Sequence, residues 1–342
     1  MPPDPPFTKP LRGDCPMNRR TALLHTLALS AFLLPLATAV ATAADKTVAL
    51  TYIVEHPAID AARKGIIDAL ADAGFVDGKT ITLDVASAQG SMPTQMQIAK
   101  TFAGKSPDLI VAISTPSAQA CQAAAKGAIP IVFSAVTDPV AAKLVKSFSQ
   151  PDGMLTGTSD KQPLNLTFEL IRKLTPTATR VGVLYNASEA NSVAQVADMK
   201  AEAAKLGMSI VEATAAQSAA VPDAARSLVG KADVILLPTD STVVSAVESV
   251  VKVGVDAKIP IYASDTNSVE RGAMAALGFN YYKLGRLTGE IAAKVLNGAK
   301  PANIPVGTLD SEDLYLNSAS AKKMGVSLSE TVTQGAAKVV AQ

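Results

Sequence analysis

Short apolar segments alternate with helical patterns along most of this 342-residue chain. Two of the clearest, residues 109–113 and residues 131–133, each end in small hydroxyl residues, with a helix start predicted just beyond. Apolar strands that are each followed by a helix are typical of a parallel sheet covered on both faces. The order β-α-β-α-β-α-β occurs twice, over residues 47–133 and 180–263. It predicts an α/β fold of two Rossmann-like lobes with parallel sheets.

We also expect a three-crossover hinge between the lobes, which leaves each lobe discontinuous in sequence and which the family resemblance given below implies. We expect lobe one to comprise residues 45–157 and 266–303, and lobe two to comprise residues 158–265 and 304–342. Two such lobes place a cleft between two sets of strand carboxyl ends. This is the general plan of periplasmic binding proteins, which close like a hinge on a small molecule.

The N-terminal region has the order of a secretory signal peptide. Residues 17–20 (Met-Asn-Arg-Arg) are basic, residues 21–36 are strongly apolar, and small residues follow up to residue 43. We expect a signal peptide over residues 1–44, translation starting at Met17, and cleavage near Ala43 or Ala44, which would make the protein periplasmic. An uncleaved membrane anchor is the alternative, although about 16 apolar residues is short for a span.

The composition argues against several classes of function. Lys and Arg total 31 against 30 Asp and Glu, and no basic stripe stands out, so nucleic acid is not an expected partner. Beyond the predicted leader the chain has one histidine, His56, and one cysteine, Cys121. These are too few for an ordinary zinc site or an iron–sulfur cluster. The nucleotide-binding glycine motifs and the hydrolase G-x-S-x-G motif are missing. We expect no cofactor, no metal and no catalytic residue.

Polar residues follow the predicted strands of lobe one, and they should meet at one edge of the sheet. Hydroxyls at a helix N-terminus suit a carboxylate, so we predict a carboxylate held by Thr115, Ser117 and either Ser134 or Thr137. The candidate ligand-binding residues of lobe one are Glu55, His56, Asp60, Ser114, Thr115, Ser117, Ser134, Thr137 and Asp138.

Lobe two offers a second set of strand-end residues, richer in carboxylates. The ammonium group of an amino acid needs such a carboxylate, for which Asp138, Glu189, Asp240 and Asp265 are candidates. The candidate ligand-binding residues of lobe two are Tyr185, Asn186, Glu189, Asn191, Ser192, Asp240, Ser241 and Asp265. Each Asp, Ser or Thr could instead be an ordinary helix N-cap, most clearly Asp138 and Asp240, and His56 could hydrogen-bond within its own turn.

Six segments of the chain closely resemble the tryptophan/tyrosine ABC-transporter substrate-binding protein family, which has the type I periplasmic-binding-protein fold. They are residues 55–60 (EHPAID), 107–120 (PDLIVAISTPSAQA), 130–139 (PIVFSAVTDP), 182–192 (GVLYNASEANS), 237–242 (LPTDST) and 278–286 (GFNYYKLGR). At Asn280 the family pattern would have Asp before the tyrosine pair.

The resemblance implies uptake of a small solute through an ABC permease in the membrane, with aromatic amino acids as ligands of part of the family. We therefore expect a monomeric extracytoplasmic protein that binds an amino acid or a similar small carboxylate. Two alternatives stay open. One is the ligand-binding subunit of a membrane sensor, and the other is a secreted enzyme that uses His56 with Asp60 or Glu55 as its base.

Overall fold

The computed structural model describes residues 46–310 and 312–341. The predicted signal peptide lies outside the described residues. Within the described ranges, no helix combines the length and the apolar character needed to cross a membrane.

Twelve strands and twelve α-helices follow one another along the described ranges. The strands are Lys46–Tyr52 (β1), Ile81–Ser87 (β2), Leu109–Ile113 (β3), Ile131–Ser134 (β4), Leu155–Gly157 (β5), Arg180–Tyr185 (β6), Ser209–Thr214 (β7), Val234–Leu237 (β8), Ile261–Ala263 (β9), Ala275–Gly278 (β10), Asp313–Asn317 (β11) and Lys338–Val340 (β12). The helices are Pro57–Asp72 (α1), Met92–Lys105 (α2), Thr115–Ala125 (α3), Leu164–Leu174 (α4), Ala190–Lys205 (α5), Val221–Ser227 (α6), Ser241–Val244 (α7), Val247–Ala257 (α8), Asn267–Glu270 (α9), Tyr281–Leu296 (α10), Ser318–Lys323 (α11) and Glu330–Gln334 (α12).

The strands form two separate sheets, one for each lobe. The first sheet is parallel, with the order β2-β1-β3-β4-β5. The second has the order β12-β11-β10-β9-β8-β6-β7 and is parallel from β10 to β7, while β11 runs antiparallel to β10. The prediction of an α/β protein with two lobes and mainly parallel sheets is confirmed. The sequence patterns had missed the short edge strands β5 and β12.

Both lobes are held together by apolar cores on the two faces of their sheets. Every residue of β3 is fully buried, which explains why this strand is apolar throughout. In lobe one, helices α1 and α10 pack so closely that Gly285 lies against the backbone of Ala62, and Gly65 lies against the backbone of Tyr282. Helix α10 thereby joins the lobe that contains β1, although it follows β10 in the chain.

The division of the chain between the sheets differs from the predicted boundaries in two places. Strand β10, which the boundary at residue 265 assigned to lobe one, pairs with β9 and β11 in the second sheet. The chain returns to lobe one just after β10, at Phe279-Asn280, where the Asn280 side chain caps α10. Residues 304–309 also lie on lobe one, since Val306 packs in its core and Gly307 pairs with Thr158. The apolar pattern of β10 predicts a strand, but it carries no information about which sheet that strand joins.

Candidate functional site

A cavity lies between the lobes, at the carboxyl ends of their parallel strands, with about 470 Å³ of space that atoms do not fill, part of it open to solvent. Lobe one contributes Val54, His56, Ala58, Ile59, Ser114, Thr115, Ala135, Thr137 and Tyr281. Lobe two contributes Asn191, Thr239, Ser241, Val244 and Asp265, and the crossover between the lobes contributes Asp160. Neither lysine nor arginine is found among these described lining residues.

The start of α3 forms one wall of the cavity. Strand β3 ends at Ile113, and Ser114 then adopts φ 80° and ψ 156°, which a non-glycine residue rarely does. This turn presents the N-terminus of the 11-residue helix α3 to the cleft. The Thr115 hydroxyl is buried at that point without a hydrogen-bond partner among the described residues. The wall therefore combines a partial positive charge with a free hydroxyl.

His56 caps α1 and lines the cavity. Its Nδ1 accepts a hydrogen bond from the Ala58 amide at 3.2 Å, and the side chain is 5% exposed. Its Nε2 is buried and has no partner within the described chain. Burial lowers the pKa of His56, although the Asp265 carboxylate works in the opposite direction, so the ring is neutral near pH 7.

Asp160, which the sequence interpretation did not select, is a buried carboxylate in the cavity wall. It is 3% exposed, and its Oδ2 accepts a hydrogen bond from the Tyr281 hydroxyl at 2.7 Å. Its Oδ1 has no partner in the part of the chain that the structure describes. Burial raises the pKa of Asp160, and the hydrogen bond from the Tyr281 hydroxyl opposes that rise. A cationic group in the cavity would stabilise the ionised form of this carboxylate.

The lobe two wall meets lobe one through a direct hydrogen bond. The hydroxyls of Thr137 and Thr239 lie 2.9 Å apart, which links the two lobes across the cleft. The amide nitrogen of Asn191 donates to the Thr239 carbonyl at 2.8 Å, while its buried Oδ1 finds no partner among the described atoms. Asp265 accepts from the Ser268 amide at 2.8 Å and from the Ser268 hydroxyl at 2.5 Å.

Several predicted residues of lobe one lie outside the cavity lining. Glu55 is exposed and Asp60 pairs with Arg63 at 3.1 Å. Two hydroxyls predicted to contact the ligand are hydrogen-bonded within lobe one. They are Ser117, bonded to Gln95 at 3.1 Å, and Ser134, bonded to Thr288 at 2.8 Å.

Asp138 also lies outside the cavity lining. Its carboxylate caps its own turn through the Val140 and Ala141 amides and pairs with Lys161 at 2.7 Å. The observed contacts of Asp138 therefore agree with the capping role that the sequence offered as an alternative to ligand binding.

In lobe two, Asp240 is the main correction to the predicted set. Its carboxylate caps α7 through the Val243 amide at 2.8 Å. It also accepts from the Asn186 amide and from the Ser192 hydroxyl, both at 2.6 Å. These contacts join the segment that follows β6 to the turn that follows β8, so Asn186, Ser192 and Asp240 form the framework of lobe two and do not line the cavity.

Glu189 and Tyr185 are likewise engaged elsewhere. Glu189 accepts from the Ser241 and Thr242 amides at 2.9 and 3.1 Å, and thereby holds Ser241 at the cavity wall. Burial, together with the nearby Asp240 charge, raises the pKa of Glu189 to about 7. The Tyr185 hydroxyl donates to Glu212 at 2.9 Å, away from the cavity.

The remaining predicted residues come together as expected from the strand-end rule. His56, Ser114, Thr115, Thr137, Asn191, Ser241 and Asp265 all line the one cavity. Sequence reasoning did not select Asp160 or Tyr281, which lie in or next to the crossovers between the lobes. Tyr281 starts a helix that returns from lobe two, and Asp160 lies in a crossover that shows no pattern.

Cys121 does not join this site. It is buried in the core of lobe one, and burial raises its pKa to about 12, so it does not form a thiolate at neutral pH. No group of three or more metal-binding side chains occurs within the described ranges.

Two α/β lobes with a cavity between them at their strand ends, lined by apolar and polar side chains, define a solute-binding protein with the type I periplasmic-binding-protein fold. The pattern of the family described as ABC transporter substrate binding protein matches residues 47–340, and the chain belongs to this family. Proteins of this family bind substrates and are not enzymes, and they are extracytoplasmic. The family predicted from the six sequence segments is thus confirmed.

The relatives include proteins of known ligand. The chain is 46% identical over 280 residues to a Tyrosine-binding protein of Clostridioides difficile (strain R20291), covering 82% of this chain and 81% of that protein. A crystal structure of an ABC domain from Streptococcus pneumonia in complex with L-Trp is 34% identical, with a TM-score of 0.83 and coverage of 87% of this chain and 100% of that chain.

The comparison with an open structure bears on the position of the lobes. A ligand-free, open substrate-binding protein from Clostridium difficile is 43% identical and covers 87% of this chain and 100% of that chain, yet its TM-score is only 0.66. The L-Trp complex fits better despite its lower identity. The lobes are therefore in an arrangement nearer to the liganded structure than to the open one. A glucose-galactose binding protein from Geobacillus stearothermophilus, 14% identical with a TM-score of 0.58, covers 79% of this chain and 97% of that chain and shares the fold.

Proposed function

We propose that this protein binds an amino acid with an aromatic side chain, as its zwitterion, in the cavity between the lobes. One observation carries the proposal. Buried polar atoms without a partner in the described chain concentrate at this cavity: His56 Nε2, Thr115 Oγ1, Asp160 Oδ1 and Asn191 Oδ1. Because buried polar groups are nearly always hydrogen-bonded, such a concentration indicates groups that a ligand completes.

The carboxylate of the ligand fits the start of α3. The Thr115 hydroxyl is a free donor there, and the N-terminus of the helix favours negative charge. With neither lysine nor arginine in the described lining, the helix end and the hydroxyls are the groups suited to an anion.

The ammonium of the ligand fits the opposite kind of surface, made of oxygen acceptors. Asp160 Oδ1 supplies a charge-assisted hydrogen bond, and Asn191 Oδ1 supplies a neutral one. The sequence interpretation gave this role to Asp138, Glu189, Asp240 or Asp265, and we assign it to Asp160 instead. The carboxylates of Glu189 and Asp240 are occupied by backbone amides of lobe two, and Asp138 pairs with Lys161.

The side chain of the ligand fits the apolar part of the cavity. Val54, Ile59 and Ala135 line it from lobe one, and Val244 lines it from lobe two. Walls of this kind suit a flat, mostly apolar group with few polar atoms. The tyrosine-binding relative and the relative solved with L-Trp support an aromatic ligand.

The lobes close around such a ligand because it contacts both of them. Thr115 and Asn191 belong to different lobes, and the Thr137–Thr239 hydrogen bond forms only when the lobes meet. Lys161 adds a second link, since it contacts Asp138 at 2.7 Å and Asp198 of α5 at 3.3 Å. A ligand that bridges the lobes therefore stabilises the closed form.

We further propose that the protein acts as a monomer and delivers its ligand to an ABC permease. In this proposal it is exported to the periplasm, with cleavage of the signal peptide near Ala43 or Ala44. Cell fractionation with N-terminal sequencing of the secreted protein tests export and cleavage directly. A mature protein that still begins upstream of residue 37 would contradict the proposed cleavage.

A thermal-shift screen of the purified protein against amino acids, sugars and nucleosides tests the ligand class. A ligand at 100 times its Kd should add about 2.7 kcal/mol to the free energy of unfolding. We expect the largest shifts with aromatic L-amino acids. A shift with a sugar or a nucleoside, but with no amino acid, would refute the proposal.

A further inference from the structure

We infer that His56 and Asp265 together recognise a hydroxyl group on the aromatic ring of the ligand, so that the cavity selects tyrosine over phenylalanine and tryptophan. This inference rests on the proposed function, which fixes the ligand class but not its side chain. It follows from the hydrogen-bonding capacities of these two residues and from their place in the cavity.

The proton of His56 has a defined position. Nδ1 accepts the Ala58 amide proton, so in the neutral ring the one N–H lies on Nε2. Burial keeps the ring neutral by lowering its pKa. Nε2–H is therefore a fixed donor at the cavity, and the described residues provide no acceptor for it.

The surroundings of His56 indicate which part of the ligand it meets. Val54, Ala58 and Ile59, its near neighbours in sequence, line the same cavity and form its apolar wall. The carboxylate already has its place at Thr115, on the start of a different helix. A ligand atom that accepts from His56 beside this apolar wall therefore belongs to the side chain of the ligand.

Asp265 supplies the complementary acceptor. It lines the cavity from lobe two and is the strongest charge acting on His56. Each of its oxygens accepts one hydrogen bond from Ser268 and has capacity for another. Arg271, the cation that also influences His56, is paired with Glu248 at 2.6 Å and bonded to the Val244 carbonyl.

A phenolic hydroxyl matches this pair because it accepts and donates through one atom. It can accept from His56 Nε2–H and donate to the Asp265 carboxylate. Phenylalanine offers neither function, and the indole of tryptophan offers only a donor, which leaves His56 unpaired. A site organised to hydrogen-bond a hydroxyl rejects analogues that lack it strongly, because its own polar groups are then left unpaired.

Isothermal titration of the unmodified protein with tyrosine, phenylalanine and tryptophan is the first test. We expect tyrosine to bind at least about tenfold more tightly than either of the others. Equal or tighter binding of phenylalanine or tryptophan would overturn this inference while leaving the proposed function intact. Binding of none of the three would overturn both.

His56→Asn is the matching variant. Asparagine is a good N-cap, so it keeps the acceptor that α1 uses, and it removes the Nε2–H donor. We expect tyrosine to bind about tenfold or more weakly, while the affinity for phenylalanine changes less than about twofold. The same loss for both ligands would show that His56 contacts a part common to them and would overturn the inference.

Two further measurements keep the test decisive if His56→Asn folds poorly. Asp265→Asn keeps an acceptor for the Ser268 amide and should also weaken tyrosine selectively. Glu55→Gln changes an exposed neighbour of His56 outside the cavity lining and should leave all three affinities unchanged. Unchanged binding of tyrosine to Asp265→Asn would contradict the paired recognition.

Discussion

Asp160→Asn separates binding from folding more clearly than any other substitution in this protein. Asp160 lines the cavity, its carboxylate is buried and accepts one hydrogen bond from Tyr281, and its second oxygen has no partner among the described residues. Lys161, the adjacent cation, is engaged by Asp138 and Asp198 instead. In our account the ammonium of the ligand is the charge that balances Asp160.

The expected loss of affinity in Asp160→Asn follows from the loss of one charge-assisted hydrogen bond to the ligand. Such a bond contributes about 1.5–3 kcal/mol, which corresponds to an affinity weaker by about 10- to 150-fold. The unliganded protein should melt at the same temperature or higher, because asparagine still accepts from Tyr281 and carries no charge to desolvate. The substitution should therefore lower the affinity for the ligand without lowering the stability of the free protein.

The assay is isothermal titration, combined with thermal unfolding of the free protein. Each protein is titrated with tyrosine and with 3-(4-hydroxyphenyl)propanoate, which lacks the ammonium. Asp160→Asn should weaken only the amino acid. Glu212→Gln is the matched control, since Glu212 also accepts from a tyrosine hydroxyl but lies away from the cavity. Equal weakening of both ligands by Asp160→Asn would refute the assigned ammonium contact.

Four further substitutions test other parts of the account. Thr115→Val should weaken binding about tenfold without lowering stability, because the buried Thr115 hydroxyl has no partner among the described residues. Ser117→Ala should leave the affinity unchanged, because the Ser117 hydroxyl bonds to Gln95 and lies outside the cavity lining. Isothermal titration checks both. Gly285→Ala should destabilise the protein by about 1–3 kcal/mol in urea unfolding, since a Cβ there would clash with the Ala62 backbone. The raised pKa of Glu189, about 7 when folded, means that the folded state holds the proton more tightly than the unfolded state does. The free energy of unfolding should therefore fall as pH rises from about 4.5 to 7, and Glu189→Gln should flatten this fall in urea titrations at several pH values.

The fold was largely predictable because its strands are short, apolar and each followed by a helix. Strand β3 was predicted at its observed bounds, since a parallel strand covered on both faces has no polar positions to blur its ends. Lobe membership was less predictable. Whether β10 stays in the second sheet depends on its pairing with β9, and a local pattern does not contain that information.

The sequence predicted the edge of the sheets at which the candidate site lies, but it did not predict which residues of that edge line the cavity. Asp240 and Asp265 look alike in sequence, since each follows a strand and precedes a short helix. Asp240 is nevertheless occupied by the Asn186 amide and the Ser192 hydroxyl, while Asp265 reaches the cavity. Asp160 gains its burial from the distant helix that begins at Tyr281, so only the folded chain reveals it.

A crystal structure of the protein grown with tyrosine tests the central claim most directly. We expect the amino acid in the cavity between the lobes, with its ammonium within hydrogen-bonding distance of Asp160 and its carboxylate at Thr115 and the start of α3. We expect its ring against Val54 and Ile59. A ligand in the reverse orientation, with its carboxylate toward Asp160, or bound outside this cavity, would contradict the account.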